Sequence, residues 1–244
     1  MASRGVEGRT GSCEGCGACA AHPDSLWQQL DGELAGLIGN ARVRRLYGSG
    51  QAVFRQGDPN AGVYCIAEGT IAIRRLDSVG NSVLLKLAYP GHTLGYRSFL
   101  SGGEHKTSAE AVGPACVCRI ERGALAAAVA QSPALSLAIL ARASADIELA
   151  QDMLMQQATL SNRGRLCQLL VDLVDHHGIT HADGSGCVHL PVSRRDLASM
   201  IGTRHETVSR IMTRLEKDGL ARFSGRSVSI PSLEALAAER AADE

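Results

Sequence analysis

Two amphipathic helix patterns separated by a single glycine, between Ser193 and Leu220, constrain the fold of this chain more than any other feature. Ser193 is a favourable N-cap residue, and Asp196 stands three positions later, where an acidic residue completes a capping box. Apolar residues then recur at helical spacing on both sides of Gly202, which is suited to end the first helix. The segment therefore predicts a helix-turn-helix.

The second helix of this motif has a polar face beside its apolar one. The residues predicted to point outward are Arg204, His205, Glu206, Ser209 and Arg210. An Arg guanidinium matches guanine O6 and N7, Glu accepts from cytosine N4, and Ser can contact an adjacent base. Residues 193–226 contain eight Arg or Lys and four acids, so this segment is basic although the whole chain has a formal net charge of zero. We predict binding in the major groove of double-stranded DNA; an ordinary helical hairpin with a solvated basic face is the alternative.

The stretch ARFSGRSVSI, which follows Gly219, predicts a β-hairpin that turns at Ser224 and Gly225. Such a wing would bring Arg222 or Arg226 to the DNA phosphates. The C-terminal part of the chain is therefore predicted to be a winged helix-turn-helix.

Upstream of this motif, short β-rich runs punctuated by glycines fill residues 42–122, a pattern typical of a small sandwich or a jelly-roll barrel. No glycine occurs between Ala124 and Asn162, which favours a long helix, interrupted near Ser132 and Pro133. The predicted fold class is α+β. Its parts are a cysteine-rich N-terminal segment (1–25), a β-barrel sensor domain (26–130), a long helix (131–160) and a winged helix-turn-helix domain (161–244).

Leu140, Ile147 and Leu154 fall seven residues apart along the predicted long helix, and Leu137 lies beside them. A heptad-like apolar stripe is typical of a helix that pairs with a second helix. Packing of the stripe against the barrel is the alternative, but the predicted helix is longer than a small barrel is wide. We therefore predict a dimerisation helix and a homodimer.

Three cysteines near the N-terminus follow the pattern C-x-x-C-x-x-C, at Cys13, Cys16 and Cys19. This spacing lets three thiolates converge on one inorganic centre, with a fourth ligand from elsewhere in the chain. An iron-sulfur cluster, a zinc ion and a set of redox-active thiols are all compatible with it, and His22 is an alternative ligand. Other cysteines lie in apolar sequence and are predicted to be buried thiols without a role, namely Cys65, Cys167 and Cys187.

No run of the chain approaches the roughly 18 apolar residues of a membrane span, and the N-terminal MASRGVEGRT lacks the apolar core of a secretory signal. We expect a soluble, cytoplasmic protein with no membrane partner, in which the cysteines stay reduced. The sequence shows neither a converging nucleophile, base and oxyanion site nor a phosphate-binding glycine loop, so an enzyme is not expected.

The order of barrel, long helix and winged helix resembles the CRP/FNR family of bacterial transcription regulators over essentially the whole chain. The matching motifs are FRQGDPNAGVYCIAEGTIAI in the barrel and HETVSR in the recognition helix, where Glu206-x-x-Ser209-Arg210 is similar to the FNR branch. The resemblance implies sequence-specific regulation through a palindrome close to TTGAT-N4-ATCAA. It also implies contact with RNA polymerase through exposed barrel loops, such as the turn from Asp77 to Asn81.

For the cysteines, the resemblance implies a [4Fe-4S] cluster held by Cys13, Cys16, Cys19 and one barrel cysteine, and dismantled by oxygen or nitric oxide. An intact cluster is expected to favour the dimer that binds DNA. The segment ACVCRI corresponds to the source of the fourth ligand, with Cys118 aligned best and Cys116, on the same side of a predicted strand, as the alternate. The last N-terminal gap is shorter than in FNR itself, so zinc or redox-active thiols in place of the cluster, or a structural zinc-binding adaptor, remain alternatives.

The resemblance also bears on the ligand pocket and the dimer seam. Members that bind cyclic nucleotides hold ribose and phosphate with a Gly-Glu pair and an Arg-Ser or Arg-Thr pair, where this chain has Gly95-Tyr96 and Lys106-Thr107. Because Tyr96 replaces the ribose-binding carboxylate, no cyclic nucleotide is expected. The regulatory acidic residue of the FNR seam corresponds to Ala150. The predicted dimer interface thus consists of Leu140, Ile147, Ala150 and Leu154.

Overall fold

The computed structural model describes residues 25–27 and 32–239 of the chain. Its backbone divides into two compact units, Met1–Ile147 and Glu148–Glu244. The boundary between the units falls within one long helix, Pro133–Thr159.

The first unit is built on two antiparallel four-stranded sheets. Its strands are β1 (Arg42–Tyr47), β2 (Ala52–Phe54), β3 (Gly62–Glu68), β4 (Ile71–Leu76), β5 (Ser82–Ala88), β6 (Thr93–Leu94), β7 (Ser108–Ala111) and β8 (Ala115–Glu121). The strand orders are β1-β8-β3-β6 and β2-β7-β4-β5. Side chains of both sheets, among them Ile66 of β3 and Ile71 of β4, meet in one buried cluster. The predicted jelly roll is therefore confirmed, as two sheets that share a core rather than as a closed barrel.

A second buried cluster, here called the outer cluster, lies on the opposite face of the sheet that contains β8. Ala115 and Val117 of β8 belong to the core between the sheets, whereas Cys118 and Ile120 belong to the outer cluster, as the alternation of side chains along a strand requires. Its full membership is Leu26, Trp27, Leu34, Ile38, Val63, Cys65, Tyr96, Cys118, Ile120, Leu125, Ala128, Leu135 and Ile139. The outer cluster therefore attaches the helices of this unit to the sheet.

Those helices are α1 (Gly32–Asn40), α2 (Tyr96–Ser101), α3 (Arg122–Gln131) and α4 (Pro133–Thr159). The chain bends by 113° between α3 and α4. Pro133 suits the first position of a helix, and the Ser132 hydroxyl accepts a hydrogen bond from the Leu135 N–H at 3.1 Å. The predicted interruption at Ser132 and Pro133 is confirmed.

Within residues 25–27 and 32–239, no single helix has the length and apolar composition needed to cross a membrane; α3 and α4 meet that requirement only when they are counted together as one bent pair.

The second unit contains the end of α4 and a small α/β domain. Its further elements are α5 (Asn162–His177), β9 (Gly178–Thr180), β10 (Gly186–His189), α6 (Arg194–Met200), α7 (His205–Lys217), β11 (Arg222–Ser224), β12 (Ser227–Ile230) and α8 (Leu233–Ala238). The strands form one antiparallel sheet in the order β11-β12-β10-β9. Leu170 of α5, Leu197 of α6 and Leu215 of α7 are fully buried, so these helices share one core. This arrangement confirms the predicted winged helix-turn-helix.

Candidate DNA-binding surface and cysteine site

The helix α6 begins with the capping box that the sequence predicts. The Ser193 hydroxyl accepts a hydrogen bond from the Asp196 N–H, and the Asp196 carboxylate accepts one from the Ser193 N–H at 3.1 Å. Leu197 and Ile201 are buried at 0% and 3% exposure, which fixes the apolar side of the helix. Gly202 then has a φ of 68°, a left-handed conformation that favours glycine and ends the helix.

The helix α7 is held from one side only. Val208, Met212 and Leu215 are buried in the domain core. The predicted base-contacting residues lie together on the other side, where four are exposed and Ser209 is half-buried. The exposed four are Arg204, His205, Glu206 and Arg210. The structure therefore brings this predicted set together on one accessible face.

This exposed face carries an acidic and a basic side chain one helical turn apart. Hydrogen bonds from its own backbone N–H and from His205 keep the pKa of Glu206 below its ordinary value. The His205 Nδ1 lies 3.4 Å from Glu206 Oε1. One helical turn further on, the Arg210 Nη2 lies 3.4 Å from Thr207 Oγ1. An ionised acceptor and a guanidinium donor are thus neighbours on the exposed surface.

The predicted wing is a hairpin of β11 and β12. Ser224 pairs with Ser227, so the turn residues are Gly225 and Arg226, one position later than the predicted turn at Ser224 and Gly225. Gly225 has a φ of 60°, and this positive φ fixes the turn at glycine. Arg222 and Arg226 are exposed.

The long helix α4 leaves most of its apolar stripe uncovered. Leu135 and Ile139, in its first two turns, are buried in the outer cluster. The stripe that follows is exposed: Leu140 by 56%, Ile147 by 59% and Leu154 by 65%, with Leu137 and Ala150 exposed as well. The predicted interface residues are therefore left uncovered by the part of the chain that the structure describes.

Asp146 is the one acidic residue beside this stripe whose side chain is turned back into the first unit. Its carboxylate accepts hydrogen bonds from the Tyr96 hydroxyl and, at 3.0 Å, from Lys86 Nζ, and Arg142 lies 3.8 Å away. Burial raises the pKa of Asp146, but the hydrogen bond from Tyr96 and the charges of Lys86 and Arg142 outweigh it and leave that pKa below its ordinary value. Asp146 therefore anchors α4 to its own unit and contributes no charge to the exposed stripe. The sequence did not predict this role, because its partners lie 50 and 60 residues away.

Both candidate fourth ligands are on β8. Cys116 and Cys118 are buried at 1% and 0% exposure and lie on the same side of the strand, as predicted. The Arg44 Nε donates a hydrogen bond to Cys116 Sγ at 2.7 Å. Cys118 instead belongs to the outer cluster, together with Leu26 and Trp27.

Cys65, predicted to be a buried thiol without a role, has a specific partner. It stands opposite Cys118 in the pairing of β3 with β8, and its Sγ accepts a hydrogen bond from the Trp27 Nε1 at 2.9 Å. Trp27, which has no local pattern to mark it, thereby fixes the chain beside Cys118. The other two cysteines of this group are in the second unit, with Cys167 buried and Cys187 half-buried.

The three N-terminal cysteines, Cys13, Cys16 and Cys19, lie outside the described residues. Within the described ranges 25–27 and 32–239, no group of three or more His, Cys, Asp or Glu side chains is suited to hold a metal ion.

The residues at the predicted nucleotide positions differ in burial and in their contacts. Gly95 has a φ of 81°, and a Cβ there would lie 2.9 Å from the Gly62 carbonyl oxygen. Tyr96 is 3% exposed and donates its hydroxyl to Asp146. Lys106 is exposed and Thr107 half-buried. Tyr96 therefore serves the attachment of α4 in this structure.

Comparison with known proteins agrees with this architecture. Residues 44–132 match the family model of the cyclic nucleotide-binding domain, and residues 164–239 match that of the Crp-like helix-turn-helix domain. The chain is 31% identical over 170 residues to the nitrogen fixation regulation protein FixK of Azorhizobium caulinodans, which covers 70% of this chain and 64% of that protein. It is 30% identical over 196 residues to FixK of Rhizobium meliloti, covering 80% of this chain and 86% of that protein.

Among solved structures, FixK2 from Bradyrhizobium japonicum shares the fold, with a TM-score of 0.68 and 23% sequence identity over 80% of this chain and 95% of that chain. The jelly roll, the helix-turn-helix and the matches to two family models all indicate the same family. The chain belongs to the CRP/FNR family of DNA-binding transcription regulators.

Proposed function

We propose that the protein binds a TTGAT-N4-ATCAA-like palindrome as a homodimer, under the control of an oxygen-labile [4Fe-4S] cluster. The observation that carries the DNA part is the exposed face of α7, where the predicted base-contacting residues meet. Arg210 donates to guanine O6 and N7, and Glu206, kept ionised, accepts from the N4 amino group of the paired cytosine. Arg204, His205 and Ser209 complete the contact with neighbouring bases and phosphates.

Replacing Arg210 by alanine is expected to weaken binding to the palindrome by about 1 to 3 kcal/mol per half-site, because a bidentate guanine contact is lost. Preference for guanine at that position should relax. Fluorescence anisotropy with the palindrome, with a variant palindrome substituted at the guanine, and with random DNA measures both effects.

Lys217→Ala is the matched control, because it removes one positive charge from the exposed far end of the same helix. It should lower affinity modestly and equally for all three DNA molecules. If Arg210→Ala also lost affinity equally on all of them, its side chain would act on phosphate alone, contrary to the proposal.

The uncovered stripe of α4 supports the homodimer. Two-fold pairing of two copies would bury Leu140, Ile147 and Leu154 against their equivalents and set two recognition helices about one turn of DNA apart. Contact with RNA polymerase is assigned to the exposed turn from Asp77 to Asn81, where the Asp77 carboxylate accepts hydrogen bonds from the Val79 and Asn81 N–H groups.

The cluster is assigned to Cys13, Cys16, Cys19 and Cys118. Leu26 lies in the outer cluster with Cys118 and follows Cys19 by seven residues. An extended chain of that length spans up to about 25 Å, so chain length allows the N-terminal thiolates to reach Cys118. Thiolates are the donors that iron-sulfur clusters take, and the apolar surroundings of Cys118 limit access of water.

Cys118 is preferred over Cys116 because of their different neighbours. Cys118 shares the outer cluster with Leu26 and Trp27, which lie close in sequence to the N-terminal cysteines, whereas Cys116 is not a member of that cluster. When bound, the cluster supplies a centre that oxygen or nitric oxide destroys. The hydrogen bond from Trp27 to Cys65 holds the chain around Trp27 close to Cys118, the proposed fourth ligand.

Purification without oxygen, followed by measurement of iron, sulfide and visible absorption before and after admitting air, tests the cluster. Iron and sulfide in equal amounts, with absorption that bleaches in air as DNA binding falls, are expected. Zinc without iron would replace the proposal by the zinc-bound regulator. Neither metal, with a thiol titre that falls in air, would favour the redox-active thiols instead.

No cyclic nucleotide is part of the proposed control, although the first unit matches the cyclic nucleotide-binding domain model. The hydroxyl of Tyr96 is committed to Asp146, and a phenol offers no carboxylate to a ribose.

A further inference from the structure

Arg165, on the first turn of α5, uses every nitrogen of its guanidinium group. Its Nε donates to the Ile201 carbonyl oxygen at 3.0 Å, and its Nη2 donates to Asn162 Oδ1 at 2.8 Å. The acceptors of its Nη1 are the carbonyl oxygens of Gln156 at 3.3 Å, Gln157 at 3.1 Å and Leu160 at 2.5 Å. One half-buried side chain therefore joins three segments of the second unit.

Two of those segments are the parts whose relative orientation matters for DNA binding. Gln156 and Gln157 are in the last turn of α4, and Leu160 directly follows its end. The last carbonyls of a helix have no partner within the helix and carry its negative dipole end. The Ile201 carbonyl is the C-cap of α6, at the turn of the helix-turn-helix. The Arg165 guanidinium donates to carbonyls at the end of α4 and at the end of α6 at the same time. It therefore holds the dimerisation helix against the helix-turn-helix.

A second contact lies at the same place. A Cβ on Gly202 would be 3.2 Å from the Gln157 Nε2, so the end of α4 approaches the turn closely. The positive φ of Gly202 and this close approach both suit glycine. The junction is therefore packed as well as hydrogen-bonded.

We propose that Arg165 is the positioning residue that sets the angle of each recognition helix relative to α4, and thereby the spacing between half-sites that the dimer accepts. This inference rests on the proposed binding of a palindrome by a homodimer. The chemistry calls for arginine, because its planar fork donates in several fixed directions, whereas the lysine ammonium is a compact charge on a flexible stem.

Arg163 provides a matched control. It lies two residues earlier on the same helix and is also half-buried, but its partners are Asp218 at 2.7 Å and Glu239 at 2.6 Å, within the winged-helix domain. Arg163→Gln removes a paired guanidinium without touching the junction with α4. It should lower the melting temperature and leave the preferred half-site spacing unchanged.

The test compares wild type, Arg165→Gln and Arg163→Gln on palindromes with spacers of three, four and five base pairs and on a single half-site. Wild type is expected to prefer the four-base-pair spacer. A misoriented second recognition helix binds its half-site less well once the first has bound. Arg165→Gln should therefore lower the affinity for that palindrome about tenfold or more and leave the affinity for a single half-site unchanged. Its affinity should also depend less on spacer length than that of wild type. Equal loss on palindrome and half-site would overturn the inference and leave Arg165 as a stabilising residue only.

Hydrogen exchange without DNA gives a readout that does not depend on the palindrome. Amides in residues 153–162 and 199–204 should exchange faster in Arg165→Gln, while those of Arg163→Gln keep their wild-type rates there. Unchanged exchange at this junction in Arg165→Gln would overturn the inference whatever the DNA result. A wild-type protein that binds half-site and palindrome equally would instead overturn the proposed dimeric binding.

Discussion

Replacing Ile147 by glutamate is expected to convert the dimer into a monomer and to abolish tight binding to the palindrome. Ile147 is 59% exposed in the middle of the α4 stripe, with Leu140 and Leu154 one heptad away on either side. In a two-fold pair of parallel helices, equivalent residues face each other, so the substitution would bring two carboxylates together in an apolar seam. Desolvation costs several kcal/mol per ion, which corresponds to a rise of more than about a hundredfold in the dimer dissociation constant.

Sedimentation velocity over a range of protein concentrations measures this change, and anisotropy on palindrome and half-site measures its consequence for DNA binding. Ala145→Glu is the matched control: it adds the same charge at an exposed position of α4 that lies about 160° around the helix from Ile147. The control should remain dimeric. A dimeric Ile147→Glu protein would place the interface elsewhere.

Replacing Cys118 by serine is expected to remove most of the iron from anaerobically prepared protein. Loss of a ligand costs more than the roughly 10- to 100-fold in metal affinity that loss of an outer partner costs. Serine keeps the small volume of the side chain in the outer cluster, so the sheet is expected to retain its fold. Iron and sulfide content, with the melting temperature measured on the same samples, separates loss of ligand from loss of fold.

Cys116→Ser and Cys187→Ser complete the series. Cys116 accepts from Arg44 and Cys187 is half-buried in the second unit, so both variants should keep wild-type iron. Iron retained in Cys118→Ser and lost in Cys116→Ser would assign the fourth ligand to Cys116. Iron retained in every single variant would contradict both Cys118 and Cys116 as the fourth ligand.

Features fixed by local spacing were predictable from the sequence. Ser193 and Asp196 are three residues apart, and their reciprocal hydrogen bonds depend only on that spacing and on the start of a helix. The apolar residues of α7 recur at helical spacing, so the outward position of Glu206 and Arg210 followed from the same pattern. The turn of the wing lies one residue later than predicted. Its position depends on which turn residue takes the positive φ, and that residue is Gly225.

Features that depend on distant partners were not predictable. The hydrogen bond from Trp27 to Cys65 joins residues 38 apart, and Asp146 meets Lys86 across 60 residues. Arg165 resembles any other helical arginine in the sequence, because the carbonyls that surround it come from the ends of two other helices. The closure of the predicted barrel also depends on long-range strand pairing, which periodicity does not encode; the strands pair as two separate sheets.

The outer cluster has a consequence for the proposed sensing. Cys118 and the first turns of α4, through Leu135 and Ile139, are packed within the same solid body. A close-packed interior transmits changes of side-chain volume. A substitution in the outer cluster that shifts Cys118 should therefore also shift the position of α4 on the sheet. If Cys118 holds the proposed cluster, substitutions among its aliphatic neighbours would change the oxygen threshold while the proposed ligands and base-contacting residues stay the same.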